Sequence, residues 1–313
     1  MNRYLLTGAA GFVGANLCRR LLDRGETQVH ILIRPDTRTW RLDDVLNRLH
    51  VHHVDMTDEA GVRALVQKVR PNVIYHLATH GAYHYQDNAD KTLRTNVLGL
   101  WNLIQACNDV GYDLFVNTGS SSEYGVKQFA MRETDAPDPT SFYAVAKAAQ
   151  SLLCQHVGRS GDRAIITLRL FSAYGPYEEP TRLIPNLAMS ALERRPIDMV
   201  SPETVRDFVY VDDVVDAYLE VDKLKQLRGE ILNVGTGVQT SLRQLVSRLE
   251  AVHGAPIHAR WGQMEARTWD TNVWVADVSK LRRAIGSVPS TTVSEGLTRC
   301  LPWFHEHRAL YAR

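Results

Sequence analysis

Short apolar runs alternate with longer amphipathic stretches through roughly the first two-thirds of the chain. Residues 4–7, 29–33, 50–54, 73–77, 114–117 and 165–170 form brief runs bounded by turn or polar residues, the pattern of buried parallel strands. Between them, residues 12–24, 59–69, 93–108 and 143–157 place apolar side chains at helical spacing. This alternation predicts an α/β fold, a doubly wound parallel sheet with right-handed crossovers covering both faces. A later strand at 230–234 leads into the turn Gly235-Thr236-Gly237 and a helix starting at Ser241. Residues 172–204 and 241–313 break the rhythm and carry several prolines, among them Pro176, Pro180, Pro185, Pro196 and Pro202. The expected division is therefore 1–171 plus 205–240 as the domain that carries the sheet. Residues 172–204 plus 241–313 then form a smaller C-terminal lobe, with the ligand cleft between the two.

Composition adds exclusions. A net charge of +1 over 313 residues gives no electrostatic reason to expect nucleic acid or an anionic membrane surface as partner. Any anionic ligand must be caught by a local site. Cys18, Cys107, Cys154 and Cys300 are far apart and form no C-x-x-C pair, which suits a reducing compartment. The chain runs at once into YLLTGAAGFVG, without signal-peptide anatomy, and no apolar run approaches the ~20 residues of a membrane span. A cytoplasmic protein is expected.

The first chemical signal is Gly8-Ala9-Ala10-Gly11-Phe12-Val13-Gly14, between the first strand and the first helix. The first glycine permits a tight turn, the second lets backbone approach a pyrophosphate, and the third lets the helix pack on the strand. Free N–H groups at the helix start then bind the diphosphate. The spacing is G-x-x-G-x-x-G rather than G-x-G-x-x-G. Where the second strand ends, an acid normally holds the adenosine ribose of NAD, yet here Arg34 stands first and Asp36 follows. Arg34 suits the 2′-phosphate of NADP. NADP is the expected cofactor, with NAD open through Asp36.

The second signal is Tyr143-Ala144-Val145-Ala146-Lys147, just after the helix start Pro139-Thr140-Ser141, so that Tyr143 and Lys147 share one helix face. A free phenol has a pKa of about 10, and an ammonium one turn away together with a cationic nicotinamide would favour its ionisation. The pair follows the loop 118–125, TGSSSEYG, whose hydroxyls could hydrogen-bond a substrate carbonyl or alkoxide.

Together these motifs resemble the extended short-chain dehydrogenase/reductase family, in its nucleotide-sugar epimerase/dehydratase group. Further matches run along nearly the whole chain: Val54-Asp55-Met56, His76-Leu77-Ala78, Arg94-Thr95-Asn96, Arg206-Asp207-Phe208 and Asn233-Val234-Gly235. The resemblance implies that 1–171 plus 205–240 is a dinucleotide-binding Rossmann domain and 172–204 plus 241–313 a nucleotide-sugar-binding lobe, with a nucleotide-sugar substrate and a homodimer. It places Asp55 and Met56 at the adenine, and Leu77, Ala78 and Thr79 near the cofactor's diphosphate and ribose. Lys147 would hold the nicotinamide ribose, Tyr143 would move the proton, and Ser120 would fall at the catalytic Ser/Thr. Asn96 fits either a supporting asparagine or a structural one.

On the substrate side the resemblance implies contacts from Ser121, Ser122, Arg182, Leu183, Arg206, Arg267 and Asp270, with Arg206 and Arg267 neutralising a diphosphate. The stretch 174–185, YGPYEEPTRLIP, resembles the nucleotide-contacting segment of dTDP-glucose 4,6-dehydratases. Dehydration itself is not implied. Such an enzyme carries an acid pair directly after its catalytic threonine, where this chain has Ser121 and Ser122, with Glu123 one place late.

The histidines at 50, 52, 53, 80 and 84 lack a carboxylate or thiolate set, and no metal is expected. Asp212 and Asp213 read as caps of the following helix. The leading expectation is NADPH-dependent reduction of a 4-keto-6-deoxy nucleotide sugar. The alternative is 4-epimerisation with a bound cofactor. A catalytically silent NADP-binding regulator is opposed by Ser120, Tyr143 and Lys147.

Overall fold

A computed structural model describes residues 2–83, 85–265 and 271–311. The apolar runs pair as one sheet: β1 (Tyr4–Thr7), β2 (Val29–Ile33), β3 (His50–His53), β4 (Val73–His76), β5 (Leu114–Ser120), β6 (Ala164–Leu170) and β7 (Ile231–Val234). Their order is β7-β6-β5-β4-β1-β2-β3, every pairing parallel. Alternation decides which face each residue feeds. Tyr4, Leu6, Val73, Tyr75, Leu114 and Val116 join one core with α1 (Phe12–Asp23), while Leu5, Ile74 and Phe115 join another with α2 (Glu59–Val69) and α3 (Gly99–Val110). The edge strand β3 is half-exposed histidine and valine, a polar finish that suits an unpaired edge.

The chain builds outward from β1 in one direction through β2 and β3, then returns through β4 on its other side. Ligands of open α/β sheets bind at such a switch point, outside the carboxyl ends of the strands. Here those ends are Thr7 and His76, hydrogen-bonded side chain to side chain at 2.8 Å.

A separate cluster fills the second lobe. Ile184 and Leu187 of one helix (Leu183–Glu193) meet Leu245 and Leu249 of a second (Leu242–His253) and Leu297, Leu301 and Phe304 of a third (Val293–Glu306). Antiparallel pairing of Val205–Arg206 with Thr240–Ser241 ties this lobe to the segment leaving the sheet.

Two expected elements differ. The helix expected at 93–108 comprises a short turn (Ala89–Leu93), a π-helical segment (Arg94–Leu98) and α3. Such a widened turn inserts a residue into the helical ladder, often beside a functional site, and it contains Asn96. Asp212 and Asp213 do not cap their helix by side-chain hydrogen bonds. Asp213 accepts from the Ser290 and Thr291 N–H groups, and Asp212 pairs with Arg20 at 3.1 Å. Among the described residues no helix is long and apolar enough to cross a membrane, and all four cysteines are buried free thiols.

Candidate active site

The glycine loop is shaped by close approach of backbone. Gly8 has φ +71°, and a Cβ there would lie 2.4 Å from the Ala78 nitrogen and 2.6 Å from the Leu77 oxygen. A Cβ on Gly14 would lie 2.3 Å from the Gly8 oxygen. Gly11 heads α1 without a side-chain cap. The N–H groups of Phe12, Val13 and Gly14 therefore begin a helix at its positive pole, the arrangement that binds a diphosphate. Leu77 and Ala78 form the other lip, with the Ala78 N–H donating to Thr7 Oγ1 at 3.3 Å, and Thr79 follows, exposed.

At the expected adenosine end, Asp55 Oδ1 accepts from the Thr57 N–H (2.8 Å) and hydroxyl (2.7 Å). Burial opposes its charge, but these bonds hold its pKa below the ordinary value. Met56 is buried against Gly99, where a Cβ would lie 2.9 Å away. Arg34 is not a lone cation: its Nε lies 3.2 Å from Asp36 Oδ1. A carboxylate so placed works against a 2′-phosphate.

The catalytic candidates meet at the end of β5 and the start of α4 (Phe142–Ser160). Ser141 caps α4 by accepting from the Ala144 N–H, which sets Tyr143 in the first turn and Lys147 one turn later. Ser120 Oγ lies 2.7 Å from Ser122 Oγ, and Ser120 is near enough to Tyr143 to ease its ionisation. Lys147 Nζ donates to the Thr118 carbonyl at 2.8 Å and lies 5.9 Å from the centre of the Tyr143 ring. Burial raises the Tyr143 pKa, opposed by Ser120 and by the charge of Arg182, and burial lowers that of Lys147 to about 8. The counterweight to the phenol's burial here is thus Ser120 first, whereas the sequence spacing pointed to Lys147.

The remaining loop residues face other tasks. Glu123 is wholly buried: Oε2 pairs with Arg169 Nε at 2.7 Å, and Oε1 accepts the Ser120 N–H at 2.7 Å in a capping box. Ser121, expected at the substrate, is buried and accepts the Trp274 indole N–H at 3.2 Å.

Arg182 lies at the head of its helix, its guanidinium 5.9 Å from the Tyr83 ring centre, with Leu183 next to it. Arg206 donates to the Val205 carbonyl and stands 5.2 Å from the Trp274 ring centre. Arg267, Asp270 and His84 fall outside the described residues. Glu178, four residues before Arg182, is buried with Oε2 lacking a hydrogen-bond partner, and burial pushes its pKa up to about 8.

Several supporting residues were not given roles by the sequence. Gln150 Nε2 reaches the Asn96 carbonyl at 2.7 Å and His76 Nε2 at 3.2 Å, while the Asn96 side chain brackets the backbone of His80 at 2.8 and 2.9 Å. Asn96 is thus a structural asparagine that joins the catalytic helix to the cofactor lip. Gln150 lies seven residues after Tyr143 on the same helix face, a spacing that could have flagged it. Asp207 accepts from the N–H groups of Thr236, Gly237 and Ala276 and fixes the Gly235–Gly237 turn.

The model of the NAD-dependent epimerase/dehydratase family matches residues 4–235. The chain belongs to that family. This epimerase/dehydratase is an enzyme of the extended short-chain dehydrogenase/reductase type that acts on nucleotide sugars. It is 30% identical, over 95% of its length and 96% of the relative's, to a Bacillus subtilis (strain 168) protein called an uncharacterized UDP-glucose epimerase, YtcB. A UDP-glucuronic acid 4-epimerase from Bacillus cereus, solved with UDP-glucuronic acid and NAD, is 27% identical with a TM-score of 0.86, covering 97% of this chain and 99% of that one. DesIV, a dTDP-glucose 4,6-dehydratase from Streptomyces venezuelae solved with NAD, is 26% identical with a TM-score of 0.88, covering 99% and 98%. These relatives favour the alternative expectation, epimerisation, over the leading one. They are named for epimerisation and dehydration rather than ketone reduction, and both solved complexes hold NAD.

Proposed function

We propose that this family member is a nucleotide-sugar 4-epimerase that keeps NAD bound through turnover. The observation that carries the reading is the state of loop 118–125. Ser120 stands near Tyr143 and eases its ionisation, Lys147 lies one helical turn on, and the loop's one acid, Glu123, is locked into an ion pair with Arg169. Proton transfer at a sugar hydroxyl is equipped, whereas protonation of a leaving hydroxyl in an elimination is not.

The cradle made by Gly8 and Gly14 against Leu77 and Ala78 fits a dinucleotide, since a Cβ at either glycine would collide with backbone. Gly8, Gly11, Phe12, Val13 and Gly14 would hold its diphosphate, Asp55 and Met56 its adenine, and Lys147 its nicotinamide ribose. The Arg34–Asp36 pair favours NAD over NADP. Bound NAD supplies reversible hydride acceptance at C4 of the sugar.

Tyr143 removes the proton of the C4 hydroxyl and later returns it, with Ser120 bonding the same oxygen. Ser120 and the charge of Arg182 favour the phenolate against its burial. Arg182, Leu183, Arg206, Ser122 and the residues Arg267 and Asp270 would bind the nucleotide sugar, with Arg206 and Arg267 at its diphosphate. Residues 172–204 plus 241–313 form the nucleotide-sugar lobe, and 1–171 plus 205–240 the cofactor domain. The separate hydrophobic cluster, built largely from the former with Phe208 and Tyr210 joining from the latter, supports that division.

The test supplies UDP-, dTDP-, CDP- and GDP-hexoses and their 4-keto-6-deoxy derivatives to the protein. The C4 epimer should form from an intact sugar while absorbance of reduced cofactor stays flat. Stoichiometric oxidation of NADPH with a keto sugar would replace this reading by reduction.

A homodimer is part of the proposal. Leu98 and Trp101 on one side, and Phe142, Val145 and Leu152 on α4, leave large apolar side chains exposed on elements that pack together. Sedimentation should show a dimer that Trp101→Glu converts to monomer. A monomeric parent protein would remove the dimer from the proposal.

A further inference from the structure

One loop on the substrate side is fastened to the cofactor side by residues that no family motif of this chain includes. The loop is Gly175–Arg182, which ends at the helix bearing Arg182 and Leu183. Its Tyr177 has φ +67°, a left-handed conformation unfavourable for a residue with a Cβ and held only where surroundings enforce it.

The enforcement comes from Arg41, in the connection after β2, which is buried. Its Nε donates to the Tyr177 carbonyl at 2.7 Å and its Nη2 to Glu179 Oε2 at 2.8 Å, while Nη1 lies 3.4 Å from the Ala10 carbonyl in the glycine loop. The guanidinium lies over the Trp40 ring, 4.2 Å from its centre. Asn16, in the second turn of α1, donates through Nδ2 to both the Phe12 carbonyl and the Pro176 carbonyl at 3.0 Å. Arg19, one turn later, covers the Tyr177 ring at 4.3 Å and donates to the Arg41 carbonyl at 2.7 Å. Loop 175–182 therefore has its carbonyls, one carboxylate and one ring gripped by α1 and the segment after β2.

We propose that Arg41, together with Asn16, is a positioning residue that locks the nucleotide-sugar loop onto the dinucleotide loop and so sets affinity for the nucleoside diphosphate from the cofactor side. The inference rests on the assignment of these two loops made under the proposed function. Arg41 bonds three protein groups, on Tyr177, Glu179 and Ala10. It acts through the strained Tyr177 and through Glu179, which fix where Arg182 and Leu183 stand. Only a planar fork reaches Tyr177, Glu179 and Ala10 at once, so lysine is not an equivalent replacement.

The experiment titrates UDP, dTDP, CDP and GDP calorimetrically into the full-length protein at saturating NAD. The variants are Arg41→Lys and Glu179→Gln, singly and combined. For whichever diphosphate the parent binds, Arg41→Lys should weaken binding about tenfold, the loss expected for one charge-assisted bond. NAD affinity should change less than threefold. Glu179→Gln, which removes only the carboxylate end of the latch, should act in the same direction, and the double variant should be no weaker than the worse single one. Diphosphate affinity that stays within twofold in both single variants overturns the inference, as does an equal loss of NAD affinity. Failure of the parent protein to bind any of the four diphosphates overturns the functional reading as well, which separates the two.

Discussion

Tyr143→Phe should lower the epimerisation rate constant by roughly 10²–10⁴-fold, the usual contribution of a general acid–base group, with little change in NAD affinity. The phenol stands in the first turn of α4 near Ser120, and phenylalanine keeps its ring while deleting its hydroxyl. Steady-state assay of the C4 epimer gives the rate, and titration of NAD into the variant gives the affinity. A variant that retains more than a tenth of parental turnover would remove Tyr143 from the proton-transfer role. A comparable drop in NAD affinity would instead assign its hydroxyl to cofactor binding. Lys147 does not give so clean a test, because its ammonium also holds the Thr118 carbonyl.

Glu123→Gln should destabilise the protein by about 3–5 kcal/mol, the range for removing one partner of a buried pair. Glu123 and Arg169 have 0% and 2% of their side-chain surface exposed, so the guanidinium left behind would be an uncompensated charge. Arg169 Nη1 already lacks a hydrogen-bond partner, which leaves little to absorb the loss. Replacing both together, as Glu123→Leu with Arg169→Met, should cost less than the single change, since no charge then remains buried. Denaturant unfolding of the three variants checks the order, and parental stability in Glu123→Gln would refute it. The same burial explains why the protein should give no 4-keto-6-deoxy product from an intact sugar: its one acid in the catalytic loop supports the loop backbone.

The sheet and its cofactor loop were legible from the chain itself. Strand periodicity gave the sheet's seven strands to within a few residues, because burial on both faces of every strand but the edge strand β3 demands nearly unbroken apolar runs. The glycine spacing was legible because each position is a steric requirement: a Cβ on Gly8 or Gly14 meets backbone. The Tyr143–Lys147 pair was legible because one helical turn fixes its spacing.

What the residues could not show was partnership across distance. Glu123 looked like an acid displaced by one position. Its meeting with Arg169, 46 residues away, exists only once β5 and β6 pair. Ser121 looked like a substrate contact until Trp274, 153 residues on, was found on its hydroxyl. Arg41 carried no motif at all, yet its fork joins residues 31, 136 and 138 positions away. Local sequence determines backbone conformation and burial pattern because those depend on near neighbours. The partner of a charged or polar side chain, and hence whether it is free for chemistry, was decided only by the tertiary fold that brings distant strands and loops into hydrogen-bond range.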